Sequence, residues 1–118
     1  MKWPNTLTFM RHGESNYNIL KEKKEKDILY QKFKKLYETD FQSNETRALA
    51  EYVKKEYSLG VSDPNTPLTP AGKFQSLKTG EELKKIIPLP HIMYVSPYTR
   101  TKETLACLRE SWPELKNI

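Results

Sequence analysis

Arg11-His12-Gly13 is the part of this chain best equipped for chemistry, because it follows the apolar, strand-like run Leu7-Thr8-Phe9-Met10. An imidazole at such a turn can attack phosphorus, and a neighbouring guanidinium can hold two phosphate oxygens in a planar fork. Gly13 permits a tight turn and close approach of backbone N–H groups to an anion. Taken alone, a histidine after a strand is more often a hydrogen-bonded structural residue. Two further segments change the balance. One is Asp63-Pro64-Asn65-Thr66-Pro67-Leu68-Thr69-Pro70-Ala71-Gly72-Lys73-Phe74-Gln75, and the other is Tyr94-Val95-Ser96-Pro97-Tyr98-Thr99-Arg100-Thr101-Lys102-Glu103-Thr104. Arg100 follows a second strand-like run, Ile92 to Val95, as Arg11 follows the first. It also falls near the start of a helix, whose unpaired N–H groups favour an anion.

With Arg11-His12-Gly13-Glu14-Ser15 near the start, the three segments in this order resemble the N-terminal half of the histidine phosphatase superfamily, the phosphoglycerate mutase-like proteins. The resemblance implies that His12 is a nucleophile that becomes a phosphohistidine. It implies that Arg11 and Arg100 are phosphate clamps and that Asn18 is a polar phosphate contact, while Thr66 is a looser match to a loop hydroxyl or amide that lines the same pocket. It further implies phosphoryl transfer to water by a phosphomonoester phosphatase, with a mutase-type phosphotransferase as the alternative if a second alcohol intercepts the intermediate. The substrate would be a phosphorylated small molecule or phosphopeptide, and neither a metal nor another cofactor is called for.

The chain departs from the family pattern as informatively as it matches. The resemblance implies a second histidine in a C-terminal His-Gly motif and an acidic proton donor downstream of Arg100. The only other histidine, His91, opens the second strand-like run and so falls at its far end from Arg100. The expectation is that these 118 residues alone turn over weakly or not at all. They could also serve as an inactive phosphate-binding or interaction module.

The elements that must position these residues follow from periodicity. Two strand-like runs alternating with helices suggest an α/β fold, a mostly parallel sheet flanked by helices, incomplete in this chain. Residues 1–118 would be the N-terminal part of a single domain, with a helical insertion at about 19–60. In the insertion, Leu29, Phe33, Leu36 and Tyr37 predict one helix over 16–38, and Leu49, Val53 and Tyr57 a second, with Ser43 or Asn44 as its N-cap. The insertion separates two pocket segments, so it could wall the substrate cleft, where specificity is naturally written. Thr69 and Pro70 read as N-cap and first-turn residues of a further helix, with Ala71, Phe74, Leu77, Leu83 and Ile87 on its apolar side. An unfinished sheet would expose an edge and invite self-association.

Composition narrows the class. Charged residues make up 30% and the net charge is +5, yet glutamates interleave with the lysines of residues 21–26 as on a solvated helix face. No nucleic-acid-binding motif accompanies that charge, so no nucleic-acid partner is expected. No apolar stretch reaches the ~20 residues of a membrane span, so no membrane partner is expected either. The single Cys107 cannot form an internal disulfide and reads as a reduced, packed thiol, which suggests a cytoplasmic protein.

Overall fold

The computed structural model describes residues 3–118, which form five α-helices: α1 (Asn16–Glu25), α2 (Ile28–Thr39), α3 (Asn44–Glu56), α4 (Pro70–Ile86) and α5 (Thr99–Ser111). Short 3-10 turns cover Asp63–Asn65 and Pro113–Asn117. Among the described residues there is no β-strand, and the one ladder contact is an isolated antiparallel bridge between Ser15 and Leu68. The expected parallel sheet is therefore absent, and the fold is helical. Leu7–Met10 and Ile92–Val95 run as irregular chain with most of their apolar side chains outward, Phe9 86% and Tyr94 88% exposed, and only Met93 turned to the core. The reason is physical. Strand preference is a preference for a pleated surface with neighbours to pack against. A two-stranded pairing is at best marginal in water, and these two runs would have had only each other. No helix among the described residues is long and apolar enough to cross a membrane.

Local signals account for the helix boundaries. Thr69 accepts from Gly72 N at 3.0 Å and Pro70 occupies the first helical position, so α4 starts where its sequence says. Ser43 caps α3 by accepting from Thr46 N at 3.1 Å. The helix expected over 16–38 is instead two. Asp27 Oδ1 accepts from Leu29 N at 2.8 Å and starts α2 afresh, because a short carboxylate competes for the backbone wherever it can cap. Oδ2 of the same residue accepts from the Tyr52 and Tyr57 hydroxyls, at 2.7 and 2.5 Å, and so joins the α1–α2 junction to α3.

The core lies between α4, α5 and the C-terminal turn. Leu108, Trp112 and Leu115 are buried there, with Leu83, Ile87, Met93, Leu105 and Ile118 packed against them. Cys107, on α5, is buried and unpaired, as read from the sequence, and burial pushes its thiol up from the ordinary value. The inward side of α4 differs from the expected one in its first half. Phe74 is 62% exposed and Ala71 is exposed, while Gly72, Ser76 and Gly80 are buried at intervals of four. A Cβ on Gly80 would press on Ser111 Oγ and Leu108, so closeness of approach, rather than apolarity, decides this face.

Candidate functional site

His12 sits in an extended turn ahead of α1. Its Nδ1 is 2.6 Å from Gly13 O. A carbonyl oxygen only accepts, so Nδ1 must carry the proton, and the neutral ring then bears its lone pair on Nε2. The next residues are fixed by a reciprocal cap. Ser15 Oγ accepts from Asn18 N, and Asn18 Oδ1 accepts from Ser15 N at 2.9 Å. This seats Asn18 in the first turn of α1, with its amide NH₂ left as a donor. Arg11, His12 and Asn18 line one open cavity of about 310 Å³ together with Gly13, Glu14 and Gln75.

What holds this turn is a set of contacts from the two other segments. Asn16 N donates to Pro67 O at 3.1 Å, and Thr69 N donates to Glu14 O at 2.9 Å. Glu14 N donates to Gln75 Oε1 at 3.1 Å, and Glu14 Oε1 accepts from Thr69 Oγ1 at 2.9 Å. From α5, Thr104 Oγ1 accepts from Gly13 N at 3.1 Å, and Glu103 Oε2 accepts from Leu68 N at 2.7 Å. Gly13 and Gly72 make the junction possible, since a Cβ on either would collide with backbone of the other segment. All three segments therefore converge on the His12 turn without a sheet. Gln75, Glu103 and Thr104 lie within the two segments but carried no role in the motif reading. The signal available in the sequence was the pair of glycines, because a backbone-to-backbone approach needs residues without side chains.

Arg100 and Thr66 are placed differently from the other three. Neither lines the His12 cavity. The Arg100 side chain is largely buried, 14% exposed, and its Nη1 donates to both Asp63 O (3.0 Å) and Asp63 Oδ1 (2.9 Å). Its guanidinium lies 4.7 Å from the Tyr98 ring centre and 6.0 Å from that of Tyr17, within cation–π range. Both bonds use one nitrogen, so Nη2 and Nε keep their donors. The helix it opens has no side-chain cap, and one turn on, Thr104 meets Gly13. Thr66 is fully buried, with its hydroxyl donating to Ser62 O at 3.3 Å, and it lines a second cavity together with Asp63 and Tyr17. His91 is exposed and lines neither cavity. Among the described residues no three His, Cys, Asp or Glu side chains gather as a metal centre would require.

The comparison with known families bears on the second and third segments. The family description "Histidine phosphatase superfamily (branch 1)" matches residues 51–117 of the 118, so the chain belongs to that superfamily. The matched region contains the second and third segments and leaves Arg11, His12 and Asn18 outside it. No curated protein and no solved structure matches the chain.

Proposed function

We propose that the chain carries the nucleophilic part of a phosphomonoester phosphatase site, with His12 forming a phosphohistidine. The observation that supports this most is the Nδ1 contact of His12 with Gly13 O, which leaves Nε2 as the attacking atom beside Arg11. Nε2 forms a bond to phosphorus as the bond from phosphorus to the ester oxygen breaks, and the leaving alcohol takes up a proton. Arg11 and the free edge of Arg100 stabilise charge on the equatorial oxygens, and Asn18 donates its amide. Water then cleaves the N–P bond and releases inorganic phosphate.

A second reading, binding without turnover, is favoured by one observation. The only carboxyl lining the cavity among the described residues, Glu14, already accepts from Thr69 Oγ1 and holds the loop. An aryl phosphate separates the two, since a nitrophenolate leaves without a proton. Single-turnover mixing with 4-nitrophenyl phosphate should give a nitrophenolate burst and an acid-labile phosphate on His12, both lost in His12→Ala. Binding with no label on His12 would favour the second reading, and label mapping to a serine would reject the mechanism.

A further inference from the structure

We propose that the second cavity receives the alcohol portion of the substrate, and that it selects an apolar body carrying a negative charge, recognised by Lys54. This rests on the reading of His12 and Arg100 as the phosphate site. The cavity measures about 300 Å³, and its walls include Tyr17, Leu20, Lys54, Tyr57, Leu59 and Val61. That volume suits a single ring or short chain. Three aliphatic side chains and two tyrosine rings form an apolar lining. Tyr57 is held by its hydroxyl bond to Asp27, so that ring is fixed before anything binds, and the Tyr17 ring lies 6.0 Å from the Arg100 guanidinium.

Charge then decides the class of ligand. Asp63 also lines the cavity, but its carboxylate is matched by Arg100 Nη1. Lys54 makes no ion pair among the described residues. One cation therefore stands unmatched beside an apolar surface. The link to the phosphate site is direct. Arg100 touches this cavity through Asp63 and Tyr17, and its helix meets the His12 turn through Thr104. A phosphate taken by the free Arg100 nitrogens would thus have the second cavity at its side, and Lys54, from the helical insertion, would meet the far end of the substrate.

The experiment is calorimetry on the whole chain with inorganic phosphate, phenyl phosphate and 4-carboxyphenyl phosphate. The carboxylated ester should bind about two- to fivefold more tightly than the plain one, the usual worth of an ion pair at a solvent-exposed lysine. Lys54→Met should bring that ratio to about one. Leu59→Asp should weaken both aryl esters more than inorganic phosphate. Equal affinities in the wild type, or a carboxylate advantage that survives Lys54→Met, would overturn the inference while the phosphate reading stands. Failure of inorganic phosphate to bind, or binding indifferent to Arg100→Ala, would remove the phosphate reading and this inference with it.

Discussion

Replacing Gly72 by alanine tests whether the His12 turn is held by backbone contact between segments distant in sequence. Gly72 is the third residue of α4, where alanine by propensity alone should stabilise by about 1 kcal/mol. The new methyl would lie under 3.0 Å from the oxygen, nitrogen and carbonyl carbon of Glu14, all backbone atoms that no side-chain rotation can clear. Residues 13–16 must then move away from α4. Such overpacking costs about 1–3 kcal/mol. The displacement also strains the Thr69–Glu14 and Asn16–Pro67 hydrogen bonds, each worth about 0.5–1.5 kcal/mol net. The opposing contributions leave a net loss of about 1–5 kcal/mol. Gly80→Ala is the control on the same helix, because its nearest neighbour is the rotatable Ser111 hydroxyl and its next contacts, with Leu108, are at 3.3 Å. It should change stability by less than about 1 kcal/mol in either direction. Gly60→Ala adds a methyl in open space at φ 72° and should cost about 1–2 kcal/mol from backbone strain alone. Urea unfolding followed by circular dichroism should rank Gly72→Ala below Gly80→Ala, and phosphate binding should weaken in Gly72→Ala but in neither control. A Gly72→Ala chain as stable as wild type, with phosphate affinity intact, would refute the view that this contact builds the site.

Other substitutions address the anion site and the insertion. Arg11→Ala and Arg100→Ala should each weaken vanadate binding by about 1.5–3 kcal/mol, the range for hydrogen bonds to charged groups. Asp63→Ala, which only loosens Arg100, should weaken it less; unchanged calorimetric affinity in both arginine variants would reject the site. Hydrogen bonds from Tyr57 and Tyr52 hold the Asp27 carboxyl below its ordinary value of 3.8. Its contribution to stability should therefore be present above that value and fade as pH falls through the lower, folded-state one. A wild-type chain should lose stability more steeply than Asp27→Asn in acid, and parallel melting-temperature profiles would show that the junction does not depend on this charge. The same bonds raise the Tyr52 and Tyr57 hydroxyls above 10.0, so stability from them persists below pH 10 and is lost at higher pH. Absorbance at alkaline pH should show part of the seven tyrosines ionising late, and Asp27→Asn should abolish that lag.

How much of this was legible in the sequence depends on how local each signal is. The caps at Thr69 and Ser43 are decided within a few residues, so the helices they start are where the sequence places them. The break at Asp27 was missed although the apolar residues that predict the helix, Leu29 to Tyr37, all follow it, and the carboxylate that starts them afresh stands in plain view. The sheet failed for the opposite reason. Leu7–Met10 and Ile92–Val95 have strand composition, but a strand exists only through partners, and composition does not reveal whether partners are there.

The site was legible as an inventory before it was legible as a geometry. Arg11, His12 and Asn18 share a cavity because they lie within eight residues, on one turn and the helix it starts. Arg100 and Thr66 arrive from far along the chain, and their positions depend on which partner each meets first. For Arg100 that partner is Asp63, a residue with no motif role of its own. The guanidinium is the better buried member of the pair, 14% exposed against 48% for Asp63, so the carboxylate can yield to solvent more easily than the arginine. Arg100 is therefore held in place by a contact that leaves its other nitrogens free. On the proposed reading, a phosphate would meet those remaining nitrogens from outside the His12 cavity, with the guanidinium already held in place by Asp63.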